Sequence, residues 1–156
     1  MSGEQHAGPR LVADVMLGRL AKWLRLLGYD TRYDNSARDL ALLRMAQAES
    51  RVLLTRDWAL SRQRGVRSIW LASQHLADQV KQVRAEIGPP PEGAFTRCAV
   101  CNVRLAPIDK AAVESRVPPY VFQTQDAFFT CARCGRVYWS ATHVERMKSL
   151  IRMLDG

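Results

Sequence analysis

Every cysteine of the chain lies in one of two Cys-x-x-Cys pairs, Cys98-Ala-Val-Cys101 and Cys131-Ala-Arg-Cys134. A pair at this spacing offers two thiolates to one ion from a single tight turn. Two pairs complete a tetrahedral sulfur shell of the kind that holds structural zinc. The second pair runs on into Gly135, which lets the backbone fold back over the ion. Two disulfides or a redox dithiol would use the same residues. A redox motif needs one pair only, and nothing in the sequence points to secretion, so Zn2+ on four thiolates is the expectation. This reads the C-terminal third as a zinc ribbon from about Phe95 to Trp139.

A second set of candidates is acidic, and its placement depends on the elements around it. Arg10 to Asp14 is a short apolar run ending in an acid, which predicts a buried strand. Met16 to Leu27 reads as a helix, with Leu17, Leu20, Leu24 and Leu27 on one face and Gly28 as the stop. A strand over Tyr29 to Tyr33 comes next, then a helix capped by Ser36 and running to about Glu49, with Leu40, Leu43 and Ala46 on its apolar face. Arg51 to Thr55 predicts a third strand, followed by a short helix. A fourth strand spans Arg67 to Leu71, and a helix capped by Ser73 runs to about Ile87. Strands that alternate with helices in this way predict βαβ units and a parallel sheet covered on both faces.

All strand C-termini of a parallel sheet emerge on one edge, where sites form. Asp14 and Asp57 each close a strand, and Asp39 opens the helix after the second one. Three carboxylates from separate segments repel one another unless a cation joins them. An oxygen-only set favours Mg2+ or Mn2+, which can activate water against a phosphodiester. Helix capping accounts for each acid singly: Asp14 and Asp57 stand at helix starts, and Asp39 is three residues after Ser36. Arg19, Lys22 and Arg25 recur at every third position of the first helix, and Arg56 precedes Asp57. Cations beside an acidic site suit a phosphate backbone, although such a stripe is also what a solvated helix face presents.

The chain carries a net charge of +8 with an isoelectric point near 9.9, and 19 of its 23 basic residues are arginine. The excess is shared equally between residues 1–94 and 95–156. A polyanionic partner, RNA foremost, fits that balance. No apolar run is long enough to cross a bilayer, and the polar start reads as a disordered lead-in over residues 1–9, so a cytoplasmic protein is expected. Gly88-Pro-Pro-Pro-Glu-Gly93 breaks all periodicity and places a linker at 89–94 between units at 10–88 and 95–156. A terminal helix is predicted from Thr142, with Glu145 completing a capping box and Val144, Met147, Ile151 and Leu154 as its apolar stripe. Trp23 and Trp58 are expected in the core. Tyr138 and Trp139 are expected to fill the ribbon. His6 and His75 have no partner that suggests chemistry, and His143, not needed as a ligand beside four cysteines, is expected either at the ribbon surface or on RNA.

The segments LVADVMLGRLAKWLRLLGYDT, RDLALLRMA and RVLLTRD together resemble the PIN-like RNases, and more narrowly the Mut-seven C-terminal RNase domain. The ending CARCGRVYWSATH, with the earlier CAVC, resembles the zinc ribbon fused to that domain. The resemblance covers about residues 10–147. It implies a PIN-like three-layer α/β/α fold with a central parallel sheet, followed by the ribbon and a terminal helix. It also implies a Mg2+- or Mn2+-dependent endoribonuclease, with Asp14, Asp39 and Asp57 as catalytic ligands, and Arg19, Lys22, Arg25 and Arg56 as RNA contacts. The fourth acid of many PIN domains has no clear counterpart: Asp78 falls in mid-helix, and Asp30 either binds metal or braces its strand. The alternative is a non-catalytic RNA-binding adaptor on the same fold. A ribosomal or tRNA partner belongs with either reading.

Overall fold

The apolar pattern around each acid builds the sheet that carries it. The structure, a computed structural model, describes residues 8–90, 96–139 and 149. Strands β1 (Arg10–Ala13), β2 (Thr31–Tyr33), β3 (Arg51–Thr55) and β4 (Ser68–Trp70) form one sheet in the order β2-β1-β3-β4, with every pairing parallel. The helices that connect them are α1 (Gly18–Leu27), α2 (Asp39–Ala48), α3 (Trp58–Ser61) and α4 (Leu76–Ile87).

Successive strand residues face opposite sides, so each central strand feeds two cores. Leu11, Ala13, Val52 and Leu54 pack with Leu17, Leu20, Leu24 and Leu27 of the first helical segment and with Val80 and Val83 of α4. Val12 and Leu53 point the other way and pack with Leu42, Ala46 and Leu60. The helices thus cover both faces of an α/β sheet.

Several local expectations shift. The first helical segment opens as a 3-10 turn, Val15–Leu17, before α1, and Asp14 caps that turn by accepting from the Met16 N–H at 2.8 Å. Gly28 ends α1 in the left-handed region at φ 104°, a conformation that suits a residue without a Cβ. Ser36 does not cap α2. Its hydroxyl and backbone N–H both donate to Asp34, and the helix starts later, at Asp39 behind Arg38. The face of α2 that meets Val12 and Leu53 is that of Leu42 and Ala46, with Leu43 partly buried, while Leu40 is exposed. Ser73 likewise forms a turn with His75 ahead of α4 instead of the cap, which falls at His75.

Cys131 ends a strand of a second sheet, and the other three cysteines lie outside its strands; the sheet has three antiparallel strands, β5 (Leu105–Ile108), β6 (Phe128–Cys131) and β7 (Val137–Trp139), in the order β5-β6-β7. A short helix, α5 (Pro119–Thr124), and a 3-10 turn at Lys110–Val113 close over it. Val113, Val117, Val121 and Phe128 form its small core, with Trp139 packed against them. The predicted terminal helix, His6, His143 and most of the Pro/Gly linker lie outside the described residues.

Candidate active edge and metal cluster

Parallel pairing carries the C-terminal ends of β1 and β3 to the same edge, and a threonine joins the acids found there. Thr55, the fully buried last residue of β3, donates its hydroxyl to Asp14 Oδ2 at 2.5 Å. The hydroxyl oxygen of Thr55 in turn accepts the backbone N–H of Asp57 at 2.9 Å. Asp14 is buried, and its backbone N–H is held by the Leu54 carbonyl at 3.0 Å. Asp57 is exposed and caps α3 through a 3.1 Å bond from the Leu60 N–H. Both acids therefore cap helical turns. Their carboxylate oxygens still keep lone pairs beyond the bonds described. The family resemblance marks Thr55-Arg-Asp57 as one element, but the sequence reading gave Thr55 no role of its own.

Asp39 does not join this pair through any hydrogen bond described. It is an exposed residue of the first turn of α2. Among the described residues, the four cysteines alone gather as a group of three or more metal-ligating side chains. Asp34 directly follows β2, but its carboxylate serves Ser36. Asp78 is held by the Ser73 hydroxyl at 2.8 Å at the start of α4.

The basic candidates separate. Arg19 and Arg56 line one cavity of about 240 Å³ with Met16, Gln74 and Gln79. Arg56 is exposed and also donates to the carbonyls of Leu71 and Ala72. Lys22 lines a different cavity, of about 260 Å³, with Val100, Arg136 and Tyr138. Arg25 corrects the expectation of a solvent-facing stripe. It is 8 % exposed, and its guanidinium donates to the carbonyls of Thr31, Ala99 and Val100 at 2.8, 3.0 and 3.0 Å. It serves as an internal strut and is not available to phosphate. The helix explains the split: residues three apart step about 4.5 Å along the axis, so one stripe passes from the acidic edge to the opposite end of the sheet.

That opposite end is where the cysteine sheet docks. Asp30, just before β2, accepts from Arg51 and from the Asn102 side chain, both at 2.8 Å, and Arg97 lies 3.9 Å away. Asn102 also accepts the Thr31 N–H at 3.0 Å. Burial would raise the Asp30 carboxyl, but the bonds from Arg51 and Asn102 outweigh it and hold the group below the ordinary carboxylate range. Asp30 is thus a brace between the two sheets, away from the edge that bears Asp14 and Asp57.

The four Sγ atoms lie within 4.8 Å of one another, and Cys98 and Cys134 are 3.8 Å apart. Zn–S bonds of about 2.3 Å in a tetrahedron require sulfurs about 3.8 Å apart, so the cluster fits zinc in chemistry and in size. Each pair turns back through a left-handed residue, Asn102 at φ 65° and Gly135 at φ 78°. Tyr138 reaches the first pair: its hydroxyl accepts from the Ala99 N–H and lies 3.1 Å from Cys98 Sγ. Bonds from Arg136 pull the Cys134 thiol down to about 6, while burial and the neighbouring thiols push Cys101 up to about 12. Four thiolates crowded together need a cation to stay charged.

An α/β sheet with acids at its C-terminal edge, joined to a four-cysteine module, defines the class of protein. The chain matches the family model of the Mut7-C RNAse domain over residues 9–151 and belongs to that family. Membership points to ribonuclease-type function with RNA as substrate. Neither a curated protein nor a solved structure matches the chain. Among the described residues, no helix is long and apolar enough to cross a membrane.

Proposed function

We propose that the protein is a cytoplasmic, metal-dependent endoribonuclease with a PIN-like three-layer domain at residues 10–88 and a structural zinc ribbon in residues 95–156. The observation that carries this reading is the Asp14–Thr55–Asp57 relay beside the cavity lined by Arg19 and Arg56. An oxygen-only donor set fits Mg2+ or Mn2+, and Asp14, Asp57 and Asp39 would hold the ion. When bound, such an ion activates water and steadies the leaving oxygen of a phosphodiester. Thr55 orients Asp14 and fixes the backbone of Asp57, so both carboxylates are set before substrate arrives. Arg19 and Arg56 supply charge for the phosphate backbone.

The ribbon's docking at the far end of the sheet supports a bracing role, with RNA contact there reserved for Lys22 and Arg136 along the second cavity. A second reading is favoured by one observation. Asp39 is not gathered with the other two acids, which suits an RNA- or ribosome-binding adaptor that has kept the fold. Isothermal titration with Mn2+ separates the two. A nuclease binds the ion with an affinity that Asp57→Asn lowers. An adaptor shows no heat attributable to the N-terminal acids.

A further inference from the structure

Trp58 directly follows Asp57 and is 56 % exposed, contrary to the core position expected for it. An indole left in water at the edge of a sheet forgoes one of the largest gains that burial offers. The side chain is nevertheless held in place. Its ring meets that of Trp70 edge to face, with centroids 5.1 Å apart and planes at 84°. Trp70 closes β4, is itself 38 % exposed, and donates its indole N–H to the Arg56 carbonyl at 3.1 Å. The aromatic pair is therefore tied to the same turn that presents Asp57. The Arg62 guanidinium lies 5.2 Å from the Trp58 ring centre. Two arginines stand beside the pair: Arg62 on the Trp58 ring, and Arg56, which immediately precedes Asp57 and whose carbonyl holds Trp70.

We infer that Trp58, braced by Trp70, is a stacking platform for an unpaired base of single-stranded RNA, one that sets the adjoining phosphodiester against the acidic edge. The identity of the nucleic acid rests on the ribonuclease reading. The stacking itself rests on the exposed, immobilised ring and the arginines around it. Every base has a π-face, so the contact is tolerant of sequence. In a duplex those faces are already covered by neighbours, so the contact selects single strands.

The test is binding of labelled oligoribonucleotides to the zinc-loaded full chain, without added Mg2+ or Mn2+, so that the RNA stays intact. Single-stranded and duplex RNA are compared for the native protein, Trp58→Ala and Trp58→Phe, with circular dichroism and zinc content checked for each. Trp58→Ala is expected to weaken single-strand binding about tenfold, Trp58→Phe to retain most of it, and duplex binding to change little. An abasic residue walked along the strand should reproduce the loss at one position and add nothing to Trp58→Ala. The inference is overturned by equal single-strand affinity of the native and Ala proteins, by an equal loss on duplex, or by no single-strand binding at all. Its failure leaves the nuclease reading standing, because that reading is judged by Asp57-dependent cleavage. Cleavage that ignores Asp57 would sink the assignment of the acidic edge as the catalytic site and leave the platform intact.

Discussion

Thr55 is the side chain that links the two acids, and its loss should show in activity before it shows in stability. Thr55→Val keeps the shape of the last residue of β3 but removes the hydroxyl from Asp14 Oδ2 and the acceptor from the Asp57 N–H. Groups that orient ligands in this way are worth about 10–100-fold in metal affinity or activity. We expect a loss of cleavage in that range for Thr55→Val and near-native rates for Thr55→Ser, both measured at saturating Mn2+. Equal rates for all three proteins would assign the threonine to packing alone. Asp30 makes a different prediction. Its carboxyl is held below its ordinary range in the folded protein, so its contribution is complete above the unfolded value of about 4 and is lost as pH falls through the lower, folded value. Asp30→Asn should cost about 1–2 kcal/mol at pH 7, as expected when the charge is removed from a partly buried, hydrogen-bonded pair with Arg51. The difference in thermal midpoint between native and variant should then narrow in acid below about pH 4. The acids at strand ends were legible in the sequence because a strand and its last residue are local features. The role of Asp30 was not, since Arg51 and Asn102 are 21 and 72 residues away.

At the scale of elements, the two cysteine turns share a backbone path and differ in the side chain at the bend. Asn102 and Gly135 both take a left-handed conformation, and each donates its backbone N–H to the first cysteine's carbonyl, at 2.9 and 2.8 Å. Only Asn102 adds a side chain that reaches Asp30 and Thr31. Asn102→Gly should therefore preserve zinc binding while loosening the docked turn. Hydrogen exchange should quicken at Thr31 and leave the bonds of β3 unchanged. If zinc is lost instead, the asparagine shapes the metal turn itself. Arg25→Ala attacks the same joint from α1 by leaving the carbonyls of Thr31, Ala99 and Val100 without their donor. A cost of about 2–3 kcal/mol in urea unfolding is expected. The helix of Arg25 was readable from its leucine spacing, and all four leucines are buried. The fate of the arginine stripe was not readable. Periodicity tells which residues share a face but not what approaches that face along its length. The same limit explains Trp58: an aromatic residue beside a strand end looks like core until the tertiary structure shows it exposed.

Across the whole molecule, the two sheets meet at the end opposite the acids, so the four-cysteine module packs behind the proposed active edge. The cysteine pairs announced it in the sequence because four ligands at fixed spacing leave little choice of chemistry. Where it docks depends on tertiary contacts that no spacing records. Removal of zinc by a chelator should unfold the β5–β7 module, whose own core is small. The parallel sheet, with two cores of its own, should persist with a lowered thermal midpoint. Loss of both sheets in one transition would mean that the ribbon is integral to a single cooperative unit. The central claim concerns the other end, and the most direct measurement of it is cleavage of labelled single-stranded and structured RNA by the zinc-loaded protein and by Asp57→Asn, with Mn2+, with Mg2+ and with no added ion. The account predicts ion-dependent internal cleavage by the native protein, abolished in Asp57→Asn with zinc content and circular dichroism unchanged. RNA binding without cleavage under every ion, or cleavage that survives in Asp57→Asn, would contradict it.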